Sequence, residues 1–241
     1  MRNQQKIPKR KFFFLIIFLF SISLLSLKSL KKVDVHNIKI YGTNLFSRKD
    51  IVENSSLNLP NRLILIKTKY IEKELKQNLS LKNISVSREI LPFGLRILIQ
   101  TRTPVAYGER VLNSEKISGF IDEDGFFIYK QHAEKTTLGS STIQVFGWQE
   151  KWIKTLSKIL TAQKNGEIDL IEIRFAPNGF LTLEEKDLKL ILLGFNPSLV
   201  RTQLQIISNL KDHLKKNNLL VKIDNIDLTD PSAPKIKVFK P

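Results

Sequence analysis

The sequence predicts an α+β protein with three parts: an N-terminal transmembrane helix, a small domain with the element order β-α-α-β-β, and a larger C-terminal mixed α/β domain with a largely antiparallel sheet. Three observations support this prediction. An uninterrupted apolar run occupies residues 12–27 of the 241-residue chain. Alternating apolar residues flank a Leu-Pro-Phe-Gly turn at 91–94, which is typical of a β-hairpin. Apolar residues recur at helical spacing in several later segments.

The first 32 residues combine a basic tail with the apolar run. They contain eight Lys and Arg residues and no acidic residue. As a helix, residues 12–27 span about 24 Å, and extension to residue 30 approaches the ~30 Å hydrocarbon core of a bilayer. Because basic residues favour the cytoplasmic side, we expect a cytoplasmic tail over 1–11, a transmembrane helix over 12–30 and the remaining chain outside. A cleaved signal peptide and a buried core helix are the alternatives, although no small-x-small cleavage pattern follows the run.

The overall charge and the cysteine content exclude several classes of function. The net charge is +16, and half of it lies in the first 32 residues. The remaining positive charge is spread along the chain without a basic run, which disfavours nucleic-acid binding. The chain has no cysteine, so disulfides, thiolate metal sites and cysteine nucleophiles are excluded.

Residues 33–101 contain the elements of the small domain in chain order. A strand is predicted at 33–41. Ser47 and Asp50 form a Ser-x-x-Asp signal for the start of a helix. A second helix begins near Thr68 and has an apolar stripe at four-residue spacing. The alternating residues on both sides of the 91–94 turn then predict two antiparallel strands, so two helices would cover one face of a three-stranded sheet.

Residues 102–241 form the second predicted domain. Trp148 and Trp152 are placed on the apolar side of an amphipathic helix, where core packing is favoured over a sugar-stacking face. The predicted elements are, in order, two short strands around an acidic turn at 119–128, a helix at 148–163, a hairpin at 168–183, a strand at 188–193, a helix that starts at Asn196, and strands at 221–228 and 235–239.

The order of these elements resembles the bacterial cell-division protein family FtsQ/DivIB, in which a POTRA domain follows a single membrane anchor. One departure is Thr101, where the family usually has a glutamate. The matching residues are Val35, Ile38, Ile40 and Gly42 in the first strand and turn, Val86, Arg88 and Pro92 in the hairpin, the linking segment 102–106, the acidic turn 119–125, and the closing segments 190–194 and 226–228.

The resemblance implies a POTRA domain at 33–101 and an FtsQ-type β domain at 102–241. It also implies a single-pass protein of the inner membrane and the division septum, with no enzymatic activity and no cofactor. Its partners would be the membrane, division proteins of the FtsB/FtsL type and the septal wall synthase. Neither a nucleic acid nor a small-molecule substrate is expected.

The strand predicted at 235–239 is the candidate partner site. In the family, partner binding falls largely on the C-terminal part of the β domain, where an edge strand pairs with a strand of the partner. Prolines flank this strand, and an unpaired edge can accept a strand by β-augmentation. The alternative is that the strand only completes the sheet. The candidate partner-binding residues are Thr229, Ser232, Ile236, Val238 and Phe239.

Residues that suggest an enzyme are few. His36, His132 and His213 lie in three different predicted elements, without the His-x-x-x-His spacing of a metal site. The acidic turn at 122–125 lacks the roughly twelve-residue ligand spacing of a calcium loop, so a hairpin turn is favoured. Two alternative functions remain open: a POTRA-type envelope protein that assists polypeptide assembly or secretion, and a periplasmic wall-associated enzyme.

Overall fold

The structure is a computed structural model that describes residues 9–29, 31–133, 143–217 and 223–238. The chain divides into two compact units, Met1–Thr101 and Arg102–Pro241. Each unit has its own hydrophobic core.

The first helix, α1, covers Lys9–Ser29 and contains most of the predicted membrane segment. Side chains in this helix are described over residues 13–23, and all of them are exposed. Across the described part of the chain, no helix is long and apolar enough to span a membrane. The transmembrane helix at 12–30 therefore stays a prediction.

Apart from the short strands β1 and β3, which were not predicted, the rest of the first unit has the predicted β-α-α-β-β order. Within its described residues, β2, β5 and β4 form a sheet in that order, with β5 in the middle. β5 runs parallel to β2 and antiparallel to β4. A separate antiparallel pair joins β1 to β3. The elements are β1 (Lys32–Val33), β2 (Ile38–Tyr41), α2 (Arg48–Glu53), β3 (Asn61–Arg62), α3 (Thr68–Asn78), β4 (Asn83–Ile90) and β5 (Phe93–Gln100).

Local sequence explains the two helices of this unit. The Ser47 Oγ accepts a hydrogen bond from the Asp50 backbone N–H, and the Asp50 carboxylate accepts one from the Ser47 N–H at 2.7 Å. This capping box confirms the predicted start of α2. In α3, Ile71 and Leu75 are buried, as the four-residue stripe predicts. Both helices thus bury their apolar side chains in the core of the first unit.

The second unit is built on one large mixed sheet. Within the described residues, its nine strands follow the order β14-β13-β12-β11-β10-β9-β6-β7-β8. Neighbouring strands are antiparallel except in the pairs β6–β9, β9–β10 and β12–β13, so the sheet is largely antiparallel, as predicted. The elements are β6 (Pro104–Leu112), β7 (Glu115–Asp122), β8 (Phe127–Tyr129), β9 (Ile143–Trp148), α4 (Ile153–Lys164), β10 (Leu170–Phe175), β11 (Leu181–Glu185), β12 (Lys189–Gly194), α5 (Val200–Lys216), β13 (Ile223–Asp227) and β14 (Lys235–Val238).

The core of the second unit joins the two helices to the sheet. Leu156 and Ile159 of α4 and Ile207 of α5 are fully buried. They belong to one cluster with inward-facing strand residues such as Ile173 and Ile226. Burial of this apolar surface stabilises the unit without any disulfide.

The predicted helix at 148–163 was wrong at its start. Trp148 is the last residue of β9, and Trp152 ends a short 3₁₀ helix before α4. The Trp148 indole N–H donates to the Gly125 carbonyl at 2.9 Å, whereas Trp152 stacks on Phe175 with ring centroids 5.2 Å apart. The two rings therefore do not share one helix face, which removes the basis for the sugar-stacking alternative. Both residues pack in or against the core.

The helix predicted from Asn196 also begins later in the structure. α5 starts at Val200, and Leu199 is its N-terminal cap residue without a side-chain capping bond. The Asn196 carboxamide oxygen instead accepts hydrogen bonds from the backbone N–H and the hydroxyl of Ser198. Asn196 therefore stabilises a turn before the helix, because its side chain accepts hydrogen bonds from the residue two positions later in the chain.

A candidate partner-binding edge

The strand β14 lies at one edge of the large sheet. It pairs with β13 in antiparallel register, in which Ile236 is opposite Ile226 and Val238 is opposite Ile223. Within the described residues, β13 is the only strand that pairs with β14. The other side of β14 therefore presents main-chain N–H and C=O groups that can accept a further strand.

The two apolar residues of β14 extend the core side of the sheet. Directly opposite residues in an antiparallel pair point to the same face. Ile226 and Ile223 are buried in the core, so Ile236 and Val238 face the same side. Their side chains are nevertheless 41% and 53% exposed. The edge thus offers apolar surface as well as main-chain hydrogen-bonding groups.

The opposite face of β14 carries two lysines. Lys235 and Lys237 alternate with the two apolar residues along the strand. The Lys237 ammonium lies 3.2 Å from a carboxylate oxygen of Asp224, and Lys235 is opposite Asp227. Both lysines are exposed, and each has an Asp of β13 as its neighbour within the domain.

Two consecutive Asx turns connect β13 to β14. The Asp227 carboxylate accepts hydrogen bonds from the backbone N–H and the hydroxyl of Thr229, at 2.9 and 2.7 Å. The Asp230 carboxylate accepts the equivalent pair from Ser232, at 2.9 and 2.6 Å. These hydrogen bonds, with a smaller contribution from the positive charge of Lys235, lower the pKa of both carboxyl groups. The turn is therefore held by ionised Asp side chains.

The structure assigns different positions to the five candidate residues. Ile236 and Val238 lie on the open edge, and Phe239 lies outside the described residues. Thr229 and Ser232 are exposed, but their hydroxyls already donate to the Asp carboxylates of the turn. A Cβ at Gly194, where φ is +85°, would lie 3.1 Å from the Thr229 Cγ2. Thr229 and Ser232 thus shape the turn, whereas Ile236 and Val238 form the surface.

Gln203 of α5 is hydrogen-bonded to the strands that lead to this edge, a role that was not predicted from the sequence. Its side-chain amide donates to the carbonyl oxygens of Leu193 and Leu228, both at 2.7 Å. These carbonyls lie at the ends of β12 and β13, and Gln203 is fully buried. The only sequence signal is a polar residue next to Leu204 in an otherwise apolar stripe. Gln203 therefore ties the two strands beside β14 to the helix layer.

A buried carboxylate ties α5 to the same sheet. Glu185 is fully buried, and Lys211 of α5 donates to it. The ammonium also lies 3.1 Å from Asp187. Burial lowers the pKa of Lys211, but the hydrogen bonds and charges of Glu185 and Asp187 outweigh this effect, so that its pKa is raised overall. Three backbone N–H groups also donate to Glu185, those of Asp169, Asp187 and Leu188.

The acidic turn at 122–125 is a hairpin turn, as predicted, but it also contains a buried ion pair. The Asp122 carboxylate accepts hydrogen bonds from the Phe126 backbone N–H at 2.8 Å and from the Arg102 guanidinium. Both charged side chains are buried. The Arg102 guanidinium carbon also lies 3.9 Å from the centre of the Phe126 ring. The contact joins the start of the second unit to the β7–β8 turn and has a structural role.

The histidines stay in separate elements. His36 and His132 lie in short 3₁₀ helices, and His213 lies in α5. Within the described residues, no group of three or more His, Asp or Glu side chains could hold a metal ion.

Residues 33–102 match the family described as POTRA domain, FtsQ-type. Together with the observed order of its main elements, this match identifies the class: the chain contains an FtsQ-type POTRA domain, followed in sequence by a second, sheet-based unit. The match supports assignment of the chain to the FtsQ/DivIB family of cell-division proteins and confirms the family predicted from the sequence. A search of curated proteins found no match. The domain type indicates a role in cell division that depends on protein–protein interactions.

Proposed function

We propose that this protein is a non-enzymatic scaffold of the bacterial division machinery. Residues 12–30 would anchor it in the inner membrane, with residues 1–11 in the cytoplasm and both folded units outside. The POTRA domain would comprise residues 33–101, and the β domain residues 102–241. The β domain would bind division proteins of the FtsB/FtsL type and thereby link them to the septal wall synthase.

The observation that carries this proposal is the open edge at β14. Its main chain can pair with a partner strand, and Ile236 and Val238 supply half-exposed apolar side chains beside it. Lysines and prolines on an edge strand also discourage non-specific pairing between sheets. The exposed Lys235 and Lys237 therefore disfavour pairing of this edge with a second copy of itself.

The chain itself supports the proposed anchor. The segment 12–27 is apolar throughout, apart from small serines, and it lies in helix α1. Basic residues flank it on both sides: Lys28 follows it directly, and the exposed Lys31 and Lys32 come four and five residues after its end. Long basic side chains extend the effective length of a short apolar helix, because they reach from its ends to the lipid headgroups.

Co-purification from membranes tests the proposal. We expect the tagged full chain, extracted in mild detergent and analysed by mass spectrometry, to bring down small single-pass division proteins and a wall synthase. A fluorescent fusion should collect at mid-cell before constriction begins. Uniform envelope fluorescence together with recovery of outer-membrane proteins would instead favour polypeptide assembly or secretion. Activity of the purified chain on peptidoglycan would favour the wall-associated enzyme.

A further inference from the structure

One end of the POTRA domain is covalently tied to the end of α1. α1 ends at Ser29 and β1 begins at Lys32. Three residue steps span at most about 11 Å, so Lys32 lies within that distance of the helix end. If α1 is the membrane anchor, as proposed above, this end of the domain lies close to the bilayer surface.

The same end presents two exposed apolar residues from another segment. Lys32 is opposite Arg62 in the β1–β3 pair, and the Leu63 N–H donates to the Lys31 carbonyl at 3.4 Å. A 3₁₀ turn over Leu63–Leu65 follows directly. Leu63 is buried in the core, but Ile64 and Leu65 are both more than half exposed. The β1–β3 pair therefore places these two side chains close to Lys32, where the chain passes from α1 into the POTRA domain.

The tip of the β4–β5 hairpin adds a third exposed apolar residue at this end. β2 and β5 are parallel, with Ile38 opposite Leu95, so both strands begin at the same end of the sheet. The hairpin turn comes directly before β5, and Leu91 within it is exposed. The Arg88 guanidinium also donates to the Ile66 carbonyl at 2.7 Å, which ties the hairpin to the 3₁₀ turn.

Exposed cations surround these residues. Lys31, Lys32, Arg62 and Lys67 are all exposed. In the described part of the chain, none of the four takes part in an ion pair. Apolar side chains within a group of free basic residues are typical of surfaces that bind an anionic membrane, because the apolar groups enter the interface while the cations meet lipid phosphates.

We propose that Ile64, Leu65 and Leu91 form a lipid-contact tip that inserts into the interface of an anionic bilayer. Lys31, Lys32, Arg62 and Lys67 bind the lipid phosphates around it. The tip gives the POTRA domain a second attachment to the membrane in addition to α1. The domain is then held against the bilayer and does not swing freely on the two residues after the helix.

Single-cysteine labelling of the full chain tests the tip directly, because the natural chain contains no cysteine. Leu65→Cys reports on the tip. Leu98→Cys in β5 is the matched control, since the two leucines are 61% and 51% exposed. Leu98 lies five residues beyond Phe93, about 16 Å along the strand and away from the hairpin tip. Each variant carries an environment-sensitive fluorophore and is reconstituted in phosphatidylglycerol/phosphatidylcholine vesicles that contain spin-labelled lipid.

We expect blue-shifted emission and strong lipid quenching for the probe at position 65 and neither effect at position 98. Arg62→Glu combined with Lys67→Glu should reduce the quenching at position 65, whereas Lys76→Glu on α3 should leave it unchanged. Vesicles of phosphatidylcholine alone should give weaker quenching at position 65.

The experiment distinguishes failure of the lipid-contact hypothesis from failure of the membrane-anchor hypothesis. A chain that floats with vesicles but is quenched equally weakly at positions 65 and 98 overturns the tip and leaves the anchor standing. A chain that does not float overturns both. Shielding of the position-65 probe only in membranes that contain other proteins also overturns the lipid assignment, because a protein would then occupy the tip.

Discussion

Ile236 and Ile226 are direct neighbours across the β13–β14 pair, yet Ile226 is fully buried and Ile236 is 41% exposed. Both side chains face the helix-covered side of the sheet. The difference arises because the described sheet continues beyond Ile226 but ends at β14. An apolar side chain in this position is stabilised further when a partner strand covers it.

Replacing Ile236 with proline should abolish binding of the division partner. Proline removes a main-chain donor and cannot sit within a paired ladder, so the edge can no longer be extended. Ile236→Val keeps the donor and most of the side chain and should bind like the natural chain. Partner recovery from membranes measures the effect, and circular dichroism should show an unchanged fold because β14 is exposed along its length.

If the folded Ile236→Pro chain still recovers the partner at the natural level, the hypothesis that the partner binds at the β14 edge is wrong. β14 would then only complete the sheet, and the partner site would have to lie elsewhere on the β domain.

Acid should loosen the turn before β14. The hydrogen bonds from Thr229 and the charge of Lys235 lower the pKa of Asp227 in the folded chain. Its stabilising contribution is therefore present above the unfolded pKa of about 3.9 and is lost as the pH falls through the lower folded pKa. The Thr229 amide resonance should shift over that acidic range. In Asp227→Asn, which keeps the acceptor but does not titrate, the shift should be absent; its persistence would assign the effect to another group.

Gln203→Leu should destabilise the β domain. The apolar isostere leaves the carbonyls of Leu193 and Leu228 without their buried donor, at a cost of about 2–4 kcal/mol in the free energy of unfolding. Gln205→Leu on the exposed side of α5 is the matched control and should change stability by less than about 0.5 kcal/mol. Urea denaturation measures both. Equal effects of the two variants would contradict a specific role for Gln203.

Lys211→Met should also lower stability, by about 3 kcal/mol, because it leaves the Glu185 charge buried without its cation. Lys186→Met, which removes an exposed lysine 3.9 Å from Asp169, should have almost no effect.

The contribution of Lys211 should depend on pH in a defined direction. Its pKa is raised in the folded chain, so the contribution is complete below the unfolded pKa of about 10.4 and is lost as the pH rises through the folded value. Unfolding measured at neutral and at strongly alkaline pH should show a smaller difference between the natural chain and Lys211→Met at the alkaline end. A difference that grows with pH would contradict the proposed ion pair.

Features with short-range causes were predictable from the sequence. The Ser47–Asp50 capping box, the apolar stripe of α3 and the hairpin around 91–94 depend on residues that are close together in the chain. The acidic turn also formed where Asp and Gly permit it, with Gly125 at φ +83°. In these cases, local hydrogen bonds and burial of one face favour the same conformation.

The strands β6 and β9 and the start of α4 were not predicted correctly. β9 pairs in parallel with β6 and β10, which both lie far away in the chain, so its pairing leaves little local pattern. β6 also forms a hairpin with β7 around Asn113 and Ser114, which both adopt positive φ, and this local turn was missed. Trp148 has helical spacing to Trp152, but Gly147 adopts φ +70° and the chain turns after β9. The tertiary environment therefore decided between two conformations that the local residues allow.

By itself, the sequence determined the order of elements in the POTRA domain, the family and the presence of a final short strand with exposed character. Only the tertiary structure decided that β14 pairs with β13 at the sheet edge. It also decided that Gln203 and the Glu185–Lys211 pair hold strands of the large sheet to α5. The same is true of Ile64, Leu65 and Leu91, which lie at the end of the POTRA domain that follows α1. Short-range periodicity specifies which elements form. Which strand ends at an edge, and which polar group is buried, depends on contacts between residues that are distant in the chain.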